Sequence, residues 1–240
     1  MNWFENWFNT KYYHMLYDNR NHEEAKLFIN NLTSHLNLKK NSKIIDIACG
    51  TGRHAIYLNL LGYNVTGIDL SKNNIETASK FSNKNLKFYI HDMRKLFKSD
   101  HFDLAVNLFT SFGYFNKDSD NEKALVSIAN NIKSEGLVVI DFMNVKKVLM
   151  NLIESEIKII NNVEFKINRT VKNGKILKSI NITDGKNTFS FIEQVSIITL
   201  DKFSDYINNA GLKIIEIFGD YQLTSFNALK SDRLILVCKK

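Results

Sequence analysis

Apolar residues in the first 150 positions follow two alternating patterns, which predict strands and helices in turn. Five apolar runs typical of buried strands lie at residues 44–47, 64–69, 86–90, 102–108 and 137–142. Between runs, apolar residues recur every three or four positions over residues 53–61 and 120–132, which predicts helices. The alternation predicts an α/β fold with a largely parallel sheet.

The pattern changes to period two after the fifth run. Three alternating stretches, separated by Asn173-Gly174 and Asp184-Gly185, predict an antiparallel meander within residues 151–197. A helix over residues 201–210 and two further strands, at 212–218 and 234–238, follow it. Together with the five runs, these last two strands predict a seven-stranded sheet.

Aromatic residues four positions apart mark the start of the chain. The pairs are Trp3 and Trp7, Phe4 and Phe8, and Tyr13 and Tyr17, a spacing that places each pair on one helix face. A second helix is predicted over residues 23–36. We expect one domain over residues 1–240, with the helices of residues 1–40 forming a lid over a bound ligand.

The turn after the first strand predicts a nucleoside-binding site. It reads Asp46-Ile47-Ala48-Cys49-Gly50-Thr51-Gly52, and its glycines let backbone approach a ligand closely. Asp69 ends the second strand 17 residues after Gly52, close to the ~20 expected for an acid that binds ribose hydroxyls. The glycine pattern alone also fits a dinucleotide, but Asp46 would repel a pyrophosphate and attract an ammonium.

This turn resembles the first motif of the class I S-adenosylmethionine-dependent methyltransferases of small-molecule type, which runs acid-x-Gly-x-Gly-x-Gly. Ala48 stands where the family has its first glycine. The resemblance implies a Rossmann-like sheet of strand order 3-2-1-4-5-7-6 whose last strand is antiparallel. An N-terminal helical lid and an antiparallel β-meander insert would complete the fold.

The resemblance also implies a cofactor, S-adenosylmethionine, which leaves as S-adenosylhomocysteine. By the same resemblance, Asp92 hydrogen-bonds the adenine amino group and the backbone N–H of Met93 contacts the ring, while Asp46 binds the ammonium. The full set of implied cofactor contacts is Asp46, Ala48, Gly50, Gly52, Asp69, Leu70, Asp92, Met93 and Asn107.

Substrate contacts are expected from two segments, the N-terminal helices and the loop after the fourth strand. The candidates are Tyr13, Tyr17, Arg20, Thr110, Ser111 and Tyr114. Each has an equally simple interpretation as a packing or turn residue. In-line methyl transfer needs no obligatory acid or base, so the general base is unknown, with His14 and Tyr114 as the candidates. His91 is interpreted as a structural neighbour of Asp92.

Composition narrows the acceptor. The chain has no proline, which excludes the Pro-Pro motif of base-amino methyltransferases and the proline-associated Cys of base-carbon methyltransferases. The net charge of +7 is spread along the sequence, so nucleic acid is not the expected partner. No metal-ligand spacing, secretory signal or membrane span is apparent, and two separate cysteines agree with a cytoplasmic protein.

The sequence therefore predicts a cytoplasmic methyltransferase that acts on a nitrogen or oxygen of a small molecule. An RNA or tRNA methyltransferase, a non-catalytic S-adenosylmethionine-binding protein and a dinucleotide oxidoreductase are the alternatives. The acceptor stays open, as does the choice between a monomer and a homodimer formed through the β insert. The insert itself is expected either to cap the active site or to dimerise.

Overall fold

The computed structural model describes residues 3–17 and 22–240 of the chain. It begins with three helices, α1 (Trp3–Phe8), α2 (Lys11–Tyr17) and α3 (His22–His35). The sequence predicts one aromatic helix where the structure has α1 and α2. Thr10 explains the break, because its backbone N–H and hydroxyl both donate to the Trp7 carbonyl and its Oγ1 accepts the Tyr13 N–H, which caps α2.

The α/β alternation that follows has the five predicted strands and the two predicted helices, together with a further helix, α5 (Lys72–Ser79), that was not predicted. They are β1 (Lys43–Ile47), α4 (Arg53–Leu60), β2 (Asn64–Asp69), α5 (Lys72–Ser79), β3 (Leu86–Ile90), β4 (Phe102–Asn107), α6 (Asp118–Asn131) and β5 (Ile132–Met143). Gly62 follows α4 at φ 94°, a left-handed conformation that suits glycine at a helix end. Strand β5 begins before the predicted residue 137 because Ile132 pairs with Phe102.

The remaining elements are α7 (Val145–Met150), β6 (Ser155–Ile160), β7 (Val163–Lys172), β8 (Lys175–Asp184), β9 (Asn187–Ser196), α8 (Leu200–Asn209), β10 (Lys213–Phe218) and β11 (Arg233–Lys239). The larger sheet has the order β10-β11-β5-β4-β1-β2-β3. Strand β11 runs antiparallel to both of its neighbours, and β1 to β5 pair in parallel. This confirms the seven-stranded order inferred from the resemblance.

The insert is a four-stranded antiparallel sheet of order β6-β7-β8-β9, so the prediction of three strands was wrong by one. Strand β6 lies at the edge, and its Ile157 and Ile159 are 60% and 71% exposed. Polar and apolar residues do alternate in β6, but only over residues 156–159, whereas the other three strands are ten residues long and show a longer pattern.

One face of the insert packs against α1 and α2. Trp7, Tyr12 and Leu16 form a cluster with apolar residues of β7 and β8, among them Phe165 and Ile180. Tyr12 also donates a hydrogen bond to Asp184 at 2.9 Å. The N-terminal helices therefore cover the apolar face of the insert within the chain, while pairing of the insert with a second copy stays a prediction.

The larger sheet is covered on both faces. One cluster of buried residues joins β1, β4 and β5 to α6 and α8, and a second joins β1, β2 and β3 to α3 and α4. Within the described ranges, no helix is long and apolar enough to cross a membrane.

Candidate active site

A cavity of about 340 Å³ lies at the carboxyl ends of the parallel strands, where ligands bind in open α/β sheets. Residues of α1 and α2 line it from the other side. The cavity brings together most of the residues expected from sequence: Tyr13, His14, Tyr17, Asp46, Ala48, Gly50, Asp69, Leu70, His91, Asp92, Met93, Thr110, Ser111 and Tyr114. Arg20 lies outside the described residues.

Asp46 is the most unusual group in the cavity. It lies in β1 between β2 and β4, is only 1% exposed, and its Oδ2 has no hydrogen-bond partner. Burial, followed by the nearby charge of Asp69, raises its pKa to about 8, although the Ala55 backbone N–H donates to this carboxyl. A buried carboxylate oxygen without a partner is suited to receive a ligand ammonium.

The turn over residues 48–52 holds its backbone in left-handed conformations. Ala48, Gly50 and Gly52 have φ values of 58°, 57° and 88°. A side chain added at Gly50 would meet no protein atom within 4 Å, so this residue faces open space in the cavity. The left-handed conformation of Ala48 costs an L-residue about 1–2 kcal/mol.

Gly52 and Asn107 are not among the residues that line the cavity. A Cβ on Gly52 would lie 2.9 Å from the Phe88 ring, so this glycine lets α4 pack closely on β3. The Asn107 side chain is buried and donates to the Ile47 carbonyl at 3.0 Å, which joins the ends of β4 and β1. Contact of either residue with cofactor stays a prediction.

Asp69 ends β2 and is held by two backbone donors. Its Oδ2 accepts the Gly50 N–H at 2.9 Å, and its Oδ1 accepts the Ser71 N–H at 2.8 Å. Burial raises its pKa, and these two hydrogen bonds act in the opposite direction. The carboxyl is thus oriented beside the glycine turn, where the sequence predicts a ribose.

Asp92 follows β3 and forms a bidentate ion pair with Arg94. The Arg94 Nη2 donates to Oδ2 at 2.6 Å, and both its Nε and its backbone N–H donate to Oδ1 at 3.0 Å. Burial opposes ionisation, but the hydrogen bonds from Arg94 outweigh it and hold the pKa of Asp92 below its usual range. Arg94 also pairs with Asp120 at 3.2 Å and lies over the ring of Phe115, which lines the cavity.

Aromatic side chains form the opposite wall of the cavity. The ring centres of Phe8 and Tyr13 are 4.8 Å apart, those of Tyr13 and Tyr17 are 5.0 Å apart, and Phe8 contacts Tyr114 edge to face at 5.4 Å. The Tyr17 hydroxyl donates to Glu193 of β9 at 2.6 Å. These contacts hold α1 and α2 against both the insert and the loop after β4.

The loop after β4 is fixed from behind by a buried ion pair. Phe109 and Thr110 have φ values of 56° and 60°. The Phe109 N–H donates to the Asp141 side chain at 2.8 Å, and the Thr110 N–H donates to the Asp141 carbonyl at 2.9 Å. Arg233 pairs with the Asp141 carboxylate at 2.7 Å and donates to Thr110 Oγ1 at 2.9 Å. The Tyr221 hydroxyl adds a third donor to that carboxylate. The Thr110 hydroxyl is therefore already bound within the protein.

Comparison with known proteins identifies the family. A family model described as "Methyltransferase domain" matches residues 38–196, about two thirds of the chain. The chain belongs to this family. It is 25% identical over 226 residues to "Putative methyltransferase YqeM" of Bacillus subtilis, covering 85% of the chain and 86% of that protein. The sequence prediction of a class I S-adenosylmethionine-dependent methyltransferase is confirmed.

Solved structures share the fold. An S-adenosylmethionine-dependent methyltransferase from Clostridium acetobutylicum has a TM-score of 0.80 at 19% identity, covering 95% of each chain. CalS10, an amino pentose methyltransferase from Micromonospora echinaspora, has a TM-score of 0.72 at 16% identity, covering 95% of this chain and 96% of its own. This methyltransferase thus shares its fold with these solved methyltransferases.

Several polar residues at the site were not predicted from sequence. Asp141, at the end of β5, had a signal, since it ends an apolar strand as Asp69 does. His54 and Arg94 lie only two residues from Gly52 and Asp92 in the sequence, so their closeness to the motif residues was also a signal. Arg233 had none, because its partner Asp141 lies 92 positions away. Among the described residues, no group of three His, Cys, Asp or Glu side chains is placed to hold a metal ion.

Proposed function

We propose that this methyltransferase transfers a methyl group from S-adenosylmethionine to a nitrogen or oxygen of a small-molecule acceptor. The observation that carries the proposal is the unpartnered, buried Oδ2 of Asp46, a residue that lines the same cavity as Gly50. A cofactor with an adenosyl group and an amino acid fits this arrangement, because Asp69 and Asp92 follow on the neighbouring strands.

In this proposal each residue has a binding or orienting task. Asp46 binds the ammonium, Asp69 accepts hydrogen bonds from the ribose hydroxyls, and Asp92 binds the adenine together with Met93. Bound S-adenosylmethionine supplies a sulfonium methyl group, which an acceptor lone pair takes as the carbon–sulfur bond breaks and the thioether S-adenosylhomocysteine is left. The acceptor loses a proton to solvent or to a base, for which His14 and Tyr114 are the candidates.

The cavity wall supports a small acceptor. The cavity is lined by Phe8, Tyr13, Tyr17 and Tyr114, and aromatic side chains are typical of small-molecule pockets. Two structural neighbours are named for comparable acceptors, the amino pentose methyltransferase CalS10 and the sugar N-methyltransferase KedS8. A polyhydroxylated or amino-bearing molecule is therefore the first acceptor class to test. A cytoplasmic location stays a prediction.

The first experiment is a calorimetric titration with S-adenosylmethionine, S-adenosylhomocysteine and NAD in parallel. We expect both sulfur compounds to bind and NAD not to bind. Asp69→Ala should lower the affinity for both sulfur compounds, and unchanged affinity would contradict the assignment of Asp69 to the ribose. Binding of NAD alone would refute the proposal.

The second experiment is a turnover screen that measures S-adenosylhomocysteine formation with panels of amines, amino sugars and phenols. Turnover on one class supports the proposal and names the acceptor atom. Tight, steeply salt-dependent RNA binding with methylation of RNA would favour the RNA methyltransferase instead. Cofactor binding without turnover on any small molecule or RNA would favour the non-catalytic alternative.

A further inference from the structure

His54 is a buried polar residue that the proposed function leaves unused. It is the second residue of α4, is 7% exposed, and lines the cavity. Its Nε2 is shielded from solvent and has no hydrogen-bond partner. Because a buried nitrogen without a hydrogen bond destabilises the protein, such an atom in a binding cavity points to a ligand that supplies the missing partner.

The position of His54 along the sheet indicates which part of the ligand it meets. Its ring lies against Phe109, the centres being 4.9 Å apart, and Phe109 follows β4. The polar groups of the cavity thus run from Asp92 after β3, through Asp69 on β2 and Asp46 on β1, to His54 beside the end of β4. The proposed cofactor has the same order: adenine, ribose, then the amino acid with its ammonium and carboxylate.

Polar groups of the loop after β4, which borders this corner, are already engaged. The N–H groups of Phe109 and Thr110 donate to Asp141, and Thr110 Oγ1 accepts from Arg233. Arg53 lines the same cavity, with its guanidinium carbon 4.5 Å from the centre of the Phe109 ring. Its charge makes the corner favourable for an anion.

His54 acts in this corner as a neutral group. Burial, followed by the positive charge of Arg53, lowers its pKa to about 3. A neutral imidazole with its proton on Nε2 donates one hydrogen bond, and so weak a base does not accept a proton from an acceptor molecule.

We propose that His54 Nε2 donates a hydrogen bond to the α-carboxylate of S-adenosylmethionine, so that the site recognises both charged groups of the amino-acid end. This inference rests on the proposed function for the identity of the cofactor. Asp46 would then select for the ammonium and His54 for the carboxylate, each on its own side of the amino acid.

The test compares S-adenosylmethionine with its decarboxylated analogue, which keeps the sulfonium and the amine but lacks the carboxylate. His54→Leu removes the donor, and His54→Gln keeps an amide N–H close to the position of Nε2. Calorimetry should show that His54→Leu lowers the affinity for S-adenosylmethionine about 10- to 100-fold, as expected for the loss of one hydrogen bond to a charged group. The same substitution should change the affinity for the decarboxylated analogue by no more than about twofold. His54→Gln should retain most of the affinity for both ligands.

Two controls keep the outcomes distinct. His91→Leu removes a histidine near Asp92, and its effect should be the same for both ligands. If His54→Leu does not fold, His54→Asn is compared with His54→Gln. The shorter Asn amide reaches only the Nδ1 position, so this variant should lose affinity for S-adenosylmethionine but not for the decarboxylated analogue. Equal weakening of both ligands, or equal binding by the Asn and Gln variants, would refute the role of His54. Failure of the wild type to bind either ligand would refute the cofactor assignment itself.

Discussion

The raised pKa of Asp46 predicts that cofactor binding is coupled to the release of a proton. Burial and the charge of Asp69 raise this pKa to about 8, so the carboxyl is mostly protonated at neutral pH in the free protein. An incoming ammonium favours the ionised form, because opposite charges in a buried site attract strongly. Affinity for S-adenosylhomocysteine should therefore rise with pH.

The size of the effect follows from the ionised fraction of Asp46. With a pKa of about 8, roughly 0.3% of the carboxyl is ionised at pH 5.5 and roughly 9% at pH 7. The Kd should then fall about 30-fold over this range, or ~2 kcal/mol, with nearly one proton released for each ligand bound. The ligand ammonium stays protonated throughout, and His54, with a pKa of about 3, stays neutral.

The assay is calorimetry with S-adenosylhomocysteine at pH 5.5, 6.2 and 7, in pairs of buffers that differ in ionisation enthalpy. Asp46→Asn should bind more weakly at pH 7 and show neither the pH dependence nor the proton release. Because His14 and His91 also line the cavity, His14→Gln and His91→Gln are measured alongside and should keep both effects. A wild-type Kd that does not change with pH, or an Asn variant that keeps the dependence, would refute the reasoning.

Three substitutions test the packing that supports the site. Ala48→Gly removes the backbone strain of an alanine at φ 58°, which should add ~1 kcal/mol of stability and raise the melting temperature by about 2–4 °C. A lower melting temperature for the variant would contradict the presence of this strain. Gly67→Ala places a Cβ 2.6 Å from the Phe88 ring and should cost about 1–3 kcal/mol in urea denaturation, whereas an unchanged midpoint would mean that the ring yields freely. Arg233→Met leaves the Asp141 carboxylate buried without its cation, for a loss of about 3–5 kcal/mol in the same assay. Adding Asp141→Leu should recover part of that loss, and no recovery would argue against the ion pair as its source.

Local patterns predicted the larger sheet and the cofactor motif well. The apolar runs located β1 to β5, β10 and β11 within a few residues at their ends, and the resemblance supplied their order. The turn over residues 48–52 and Asp69 could be found because both depend on neighbours close in sequence. The break between α1 and α2 was missed since it depends on hydrogen bonds made by Thr10, and β6 was missed since its alternating pattern is short.

The sequence by itself determined the class of fold and the family, because periodicity and a short motif are written in neighbouring residues. Only the tertiary structure decided what surrounds the site. Asp141 meets Arg233 across 92 positions and Tyr17 meets Glu193 across 176, and no local pattern pairs residues so far apart. The burial that leaves His54 without a partner likewise arises only when the loop after β4 closes against α4. The contacts around the cofactor site therefore depend on how distant segments pack, while the glycine turn and Asp69 are recognisable in the sequence alone.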